Sequence, residues 1–316
     1  MKRILSFLLL SLGLYAQAQV YNNEWIDYNK TYYKFKIGAT RLYRISQSAL
    51  ASIGLDTVPA ENFQLWRNGK EIPLYTSVQT GVMSASDYIE FWGEMNDGKP
   101  DNALYRQPDF QLSDKYSLQT DTSAFFLTVN PSGNNFRLTP TANNIVGSPT
   151  PEPYFMYTTG TYYKTKINPG YAALVVDYVY SSSYDQGEGW TSSDIDSAGV
   201  NTSSQTNLFP YNGAGAPQST FKINAAGNAL NPRNFEVKIN GTSILTQNLD
   251  FYDYVKAAVP INTSLISSGT ATVNVINHAS ISPDRMVLAQ YELTYPRQFN
   301  FGGATSFAFE LPASNT

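Results

Sequence analysis

The chain carries the same two-residue turn twice, each time between runs that alternate apolar and polar side chains. Asn68-Gly69 separates Phe63-Gln64-Leu65-Trp66-Arg67 from Lys70-Glu71-Ile72-Pro73-Leu74-Tyr75. Asn240-Gly241 separates Phe235-Glu236-Val237-Lys238-Ile239 from Thr242-Ser243-Ile244-Leu245. Asn-Gly accepts the positive φ angles of a type I′ turn, whose twist matches that of paired strands. Both stretches therefore read as β-hairpins. Pro73 has no N–H to give a ladder, so the second strand of the first hairpin belongs at a sheet edge.

The rest of the sequence repeats this grammar. Tyr33-Lys34-Phe35-Lys36-Ile37 and Arg41-Leu42-Tyr43-Arg44-Ile45 alternate about a turn at Gly38-Ala39-Thr40. Tyr88-Ile89-Glu90-Phe91-Trp92 is a further strand, and Ala124 to Val129 is apolar enough to be a central one. Later strands are expected at Tyr154 to Lys164, Ala173 to Tyr180, Phe221 to Asn224, Ala271 to Ile276 and Met286 to Tyr295, with a strand-like run at Ser306 to Leu311. One helix stands out. Ser46 is its N-cap, Gln47 to about Ile53 its body and Gly54 its stop. Short strands at regular spacing with turn residues between them predict an all-β fold. We expect two antiparallel β-sandwich domains of jelly-roll type, with one short helix in the first.

No cysteine and a single histidine, His278, occur in 316 residues. A Cys-His nucleophile pair, a Cys-rich zinc site and a disulfide frame are thereby excluded. Residues 1–18 read as a signal peptide. Lys2 and Arg3 precede an apolar run rich in leucine, and Ala16-Gln17-Ala18 offers small residues at the cleavage positions. The mature chain is expected to start at Gln19 and to be exported, to the periplasm, the outer-membrane surface or the medium. It holds 19 basic against 25 acidic residues, with no basic run, which argues against a nucleic-acid partner.

Gly147-Ser148-Pro149-Thr150-Pro151-Glu152-Pro153 favours extended, ladder-free backbone. We place a linker at 148–153, an N-terminal β domain at 19–147 and a second β-sandwich domain at 154–316.

Few residues invite chemistry. Asp185-Gln186-Gly187-Glu188-Gly189, followed by Trp190, Asp194 and Asp196, is the densest acidic stretch. Asp185, Glu188, Asp194 and Asp196 are candidate calcium ligands, because carboxylates on a glycine-rich loop can wrap that ion, although the spacing is not that of an EF-hand; a solvated acidic loop is the simpler account. Glu94, Asp97 and Asp101 form a second acidic stretch, readable as turn chemistry or as a glycosidase carboxylate pair. Trp66, Trp92, Trp190 and Tyr162-Tyr163 are candidates for a sugar-stacking platform, with strand packing as the alternative. His278, in a turn-like stretch, reads as an exposed loop residue. No phosphate-binding glycine loop and no Gly-x-Ser-x-Gly elbow is found.

Several segments resemble the N-terminal region of gingipain-like cysteine peptidases, the group that includes type IX secretion sortases. The matching stretches are Tyr33 to Ile37 with Arg41 to Ile45, Asp87-Tyr88-Ile89-Glu90-Phe91-Trp92-Gly93, and Phe125-Phe126-Leu127-Thr128-Val129-Asn130. Ser181 to Trp190, Asp284-Arg285-Met286 and Tyr295-Pro296-Arg297-Gln298-Phe299-Asn300-Phe301-Gly302-Gly303 follow. In that family the catalytic His and Cys lie in a caspase-like domain beyond the β-rich front, and no stretch here aligns with it. The resemblance implies a non-catalytic β module of a sortase-related secreted protein, acting in scaffolding or partner docking at the cell envelope. A downstream peptidase domain and type IX secretion components are its implied partners, and a longer parent protein is implied to be a peptidase. A freestanding surface carbohydrate-binding module, with a glycan as partner, is the alternative, and a carboxylate-based hydrolase ranks behind both.

Overall fold

The computed structural model describes residues 23–140, 142, 147, 151–181, 184–305, 307 and 309. The expected signal peptide, residues 148–150 of the expected linker and most of the Ser306 to Leu311 run lie outside them. The described chain is nearly all β, in antiparallel sheets. It divides into two compact units, Met1–Asn96 with Asp121–Asn143, and Asp97–Thr120 with Asn144–Thr316. A single boundary at residue 147 leaves 97–120 in the first block; in the structure that segment belongs to the second unit.

The first unit contains β1 (Tyr33–Ile37), β2 (Arg41–Ser46), β3 (Phe63–Arg67), β4 (Lys70–Ile72), β5 (Tyr75–Thr76), β6 (Tyr88–Gly93) and β7 (Ser123–Val129). One sheet runs β1-β7-β3-β4 and the other β2-β6-β5. Alternation decides which side chains meet. Ile37, Phe63, Leu65, Phe125 and Leu127 from the first sheet share one core with Ile89 and Phe91 from the second. Phe91 joins the layers, with its ring 5.9 Å from Phe35, 5.8 Å from Tyr43 and 5.5 Å from Phe125.

Asn68 and Gly69 both have positive φ, and Arg67 pairs directly with Lys70. β4 is an edge strand that ends before Pro73. β7 is central, between β1 and β3. The helix α1 (Gln47–Ala51) is shorter than expected but capped as expected. The Ser46 hydroxyl accepts from the Ala49 N–H, and Gly54 takes φ +77°. β1 and β2 flank the turn at Gly38 yet join different sheets, pairing with β7 and β6.

The second unit contains β8 (Phe155–Tyr162), β9 (Lys166–Pro169), β10 (Ala172–Val175), β11 (Asp177–Tyr180), β12 (Glu188–Thr191), β13 (Ile195–Asp196) and β14 (Val200–Gln205). It continues with β15 (Ser219–Gly227), β16 (Pro232–Ile239), β17 (Thr242–Asp250), β18 (Tyr254–Ile261), β19 (Ala271–Asn277) and β20 (Arg285–Arg297). One sheet runs β13-β20-β15-β18, with β8 also on β20; the other runs β14-β19-β16-β17. Phe221, Ile223, Leu288, Tyr291 and Leu293 of the first meet Phe235, Val237, Val273 and Val275 of the second in a shared core. Asn240-Gly241 closes β16 onto β17 with positive φ at both residues. Arg233 and Asp284 form an ion pair with both side chains fully buried. Two small ribbons, β9 with β12 and β10 with β11, complete the unit.

One expected strand is a hairpin. Ala173 to Tyr180 folds back on itself, because Val176 takes φ +72° and Val175 then pairs with Asp177. A β-branched residue in the left-handed region is a rare turn device, and no Gly, Asn or Pro marks it in the sequence.

Candidate functional site

The acidic stretch 185–196 is where the second unit holds its inserted segment. Asp97–Thr120 forms two 3-10 turns, Lys99–Leu104 and Pro108–Phe110, and no strand. Such a segment has no ladder for its backbone polar groups, so side chains must satisfy them. The buried Asp101 carboxylate accepts from the Ser117 hydroxyl at 2.9 and 3.0 Å and from the Leu118 N–H at 2.7 Å, folding the segment on itself. Trp190 Nε1–H donates to the Ser117 carbonyl at 3.0 Å. The Tyr105 hydroxyl donates to the Glu188 carbonyl at 3.0 Å. Arg106 reaches the buried Asp185 carboxylate at 2.8 Å, and its N–H donates to the Tyr184 carbonyl at 2.9 Å. Gln119 and the Tyr184 hydroxyl are also hydrogen-bonded.

The local backbone makes this possible. β12 pairs with β9, and Gly170, at φ +75°, lies where a Cβ would stand 2.7 Å from the Gln186 carbonyl and the Glu188 nitrogen. Asp185 and Glu188 close a turn, with Asp185 N–H donating to Glu188 Oε2 at 3.1 Å. Burial, and then the charge of Asp185, push the Glu188 carboxyl above its ordinary range, against the pull of that backbone bond. Burial pushes the Tyr105 phenol well up, with Glu188 and Asp101 adding to it. The Lys164 ammonium lies over the rings of Tyr116, at 5.0 Å, and Trp190, at 5.3 Å.

The four candidate calcium ligands do not converge. Asp185 is spent on Arg106 and on the Gln186 N–H. Asp194 stands apart, accepting from Lys166 Nζ at 2.7 Å and Asn228 Nδ2 at 2.8 Å. Burial pushes the Asp194 carboxyl up, but the bonds from Lys166 and Asn228, with the charges of Lys166 and Arg285, outweigh it and hold it low. Asp196 is exposed on the short strand β13. Among the described residues no three His, Cys, Asp or Glu side chains form a group that could hold a metal ion. A run of acids close in sequence is separated here because the chain turns twice between Asp185 and Asp196.

The second acidic stretch is dispersed in the same way. Glu94 pairs with Arg67 at 2.8 Å, Asp97 with Lys99 at 2.7 Å, and Asp101 is the buried acceptor already described. His278 is exposed, with Nε2 3.1 Å from Glu236 Oε2.

The candidate aromatics do not form one platform. Trp190 is inserted into the seam. Tyr162 bonds to Glu292 at 2.9 Å and Tyr163 to Asn201 at 2.6 Å, and burial pushes both phenols up. Trp92 is exposed on β6, opposite the exposed Leu42 of β2. Trp66 is covered by Trp25, which stacks on it at 5.3 Å and 28°. Trp25 also meets Tyr32 edge-on at 5.5 Å and Phe126 at 5.4 Å. Trp25, Phe126 and Ala124 line a groove of about 570 Å³, rimmed by Glu24, Asn68, Gly69 and Lys70. Sequence reasoning missed this corner. Trp25 precedes the first strand and gives no hint that its ring lands on β3.

No protein-family model matches the sequence, and no curated protein matches it. Among solved structures, dimeric latent PorU from Porphyromonas gingivalis is similar over 86% of this chain, at 10% identity and a TM-score of 0.54. This chain covers 25% of that one. A family 35 carbohydrate-binding module from Clostridium thermocellum shares 9% identity over 43% of this chain and 97% of its own, at a TM-score of 0.26. A CBM36 module in complex with calcium and xylotriose shares 11% identity over 43% of this chain and 98% of its own, also at 0.26. TM-scores this low carry no argument. The likeness to PorU shows a common fold.

Proposed function

We propose that this chain is a non-catalytic β module of a gingipain-like, type IX sortase-related secreted protein, acting in scaffolding or partner docking at the cell envelope. The observation that carries the reading is the span of the shared fold. It reaches 86% of this chain but only a quarter of PorU, as expected of one region of a longer architecture. The motifs behind the family resemblance agree with it. Of the Ser181 to Trp190 stretch, Tyr184, Asp185, Glu188 and Trp190 supply the seam that holds 97–120. Asp284 supplies the buried ion pair. Arg297 is buried and donates to the Asn300 and Asn207 carbonyls at 2.8 Å. These motifs do structural work, so a module of this kind keeps them without a catalytic centre. The absence of cysteine removes the nucleophile that a peptidase of that family uses.

Expression with an epitope tag in a bacterium that has type IX secretion tests this reading. The chain should be exported and should cross-link to components of that system. Retention in the cytoplasm, or peptide cleavage by the highly purified chain, would overturn it.

The groove at Trp25 favours a second reading, a surface carbohydrate-binding module. An aromatic corner with amide, amine and carboxylate groups on its rim suits the apolar face and hydroxyl edge of a sugar. A glycan array separates the readings, because binding abolished by Trp25→Ala supports the second.

A further inference from the structure

The β10–β11 hairpin keeps an unusual amount of apolar surface in water. Every residue from Ala173 to Tyr180 is exposed, with Leu174 at 54%, Val175 at 68%, Val176 at 96% and Val179 at 56%. Apolar side chains stand on both faces. Leu174 pairs across the ribbon with Tyr178 on one face, and Ala173 with Val179 on the other. At its base the hairpin is held by Tyr171 N–H to the Gln186 carbonyl and Ser181 N–H to the Tyr171 carbonyl, both at 3.0 Å, and the Tyr252 ring lies beside Tyr171 and Tyr178. Isolated two-stranded ribbons are marginal in water, and contiguous exposed apolar surface marks an interaction site.

The tip singles out the occupant. The two tight hairpins at β3–β4 and β16–β17 turn on Asn-Gly, which suits positive φ and water alike. Here a valine is held at φ +72° at the outermost point, where both its backbone and its side chain are disfavoured. What is retained at that expense is an apolar tip. A protein surface docked on one face would leave the other face and its valines wet. A lipid surface encloses a finger on all sides.

The order of side chains fits the same partner. Val175, Val176 and Asp177 form the tip, Leu174 and Tyr178 stand level with each other behind it, and Tyr180 and Tyr171 follow toward the base. Tyrosine rings settle at the level of lipid headgroups, with the phenol in the wet layer. The outer edges of both strands are unpaired, so the finger can enter only the hydrated interfacial zone. The hairpin carries no Lys or Arg and one carboxylate, Asp177, so the attraction is apolar and does not call for anionic lipid.

We propose that the β10–β11 hairpin is a membrane-insertion finger that seats its Val175-Val176 tip in the interfacial zone of a zwitterionic bilayer. Sedimentation of the mature chain, from Gln19 onward, with phosphatidylcholine vesicles tests it. The chain should pellet with the vesicles equally at 0.1 and 1 M salt. The double variant Val175→Asn, Val176→Asn should partition at least tenfold more weakly. Asn suits positive φ, so that variant should melt no lower than the parent, and lost binding is then not lost folding. Four outcomes would overturn the proposal: a parent chain that stays in the supernatant, a variant that pellets equally well, association that requires anionic lipid, or a concentration-dependent dimer formed without lipid and abolished by the variant.

Discussion

The Arg233 guanidinium and the Asp284 carboxylate face one another with no exposure to water, Nε donating to both carboxylate oxygens at 3.0 Å and Nη2 lying 2.9 Å from Oδ1. The remaining guanidinium protons are spent on the carbonyls of Phe251, Ala229 and Asn231, and Asn277 Nδ2 donates to Asp284 at 2.8 Å. Arg233→Met should cost about 3–5 kcal/mol in urea unfolding, because it strands a buried carboxylate. Adding Asp284→Leu should restore part of that loss. Costs that simply add in the double-mutant cycle would show that the two side chains are not coupled.

Phe91 is the ring through which the two sheets of the first unit meet. Phe91→Ala should cost about 3–5 kcal/mol, from lost burial and the cavity left behind. The exposed Trp92, next in sequence, should change stability by less than about 0.5 kcal/mol when replaced by Ala. Paired urea melts of the two variants check the assignment of faces along β6.

Asp194 and Glu188 should give stability opposite dependences on pH. The folded Asp194 carboxyl is held low, so its contribution is present above the unfolded value and is lost as pH falls through the folded one. Asp194→Asn should cost about 1 kcal/mol or less at pH 7, with the gap to the parent closing toward pH 3. The folded Glu188 carboxyl is held high, so the folded state binds the extra proton and stability falls as pH rises through that window. Glu188→Gln should therefore gain on the parent as pH rises from 4 to 7. Urea midpoints across that range decide both signs.

Val176→Gly should raise stability by about 1 kcal/mol, since glycine takes φ +72° without the steric penalty that a side chain meets there. A thermal melt is sufficient, and a lower melting temperature would show that the valine side chain packs against something in solution.

How much of this was legible in the sequence follows from the range of each signal. Asn68-Gly69, Asn240-Gly241, Ser46 and Pro73 act within a few residues, and each does in the structure what local chemistry dictates. Alternation along Tyr33 to Ile37 and Arg41 to Ile45 shows that each is a strand. It cannot say that one pairs with β7 and the other with β6, because the partners lie far along the chain. The turn at Val176 was invisible because valine carries no turn signature. The acidic run 185–196 invited a metal because sequence shows proximity along the chain, whereas Arg106, Lys166 and Asn228 approach from elsewhere and take up its charges. The corner built on Trp25 escaped notice for the same reason.

The segment 97–120 leaves one unit and returns to it with β7, the central strand, still to come. The chain therefore crosses between the units three times, near residues 96, 120 and 143. Neither unit is a bead that can be cut off a string. Recombination at one breakpoint, or a truncation near residue 147, would carry away with the first unit the piece whose Ser117 and Tyr105 hold Trp190 and Glu188 in the second. The two sandwiches are bound to be inherited and lost as a pair.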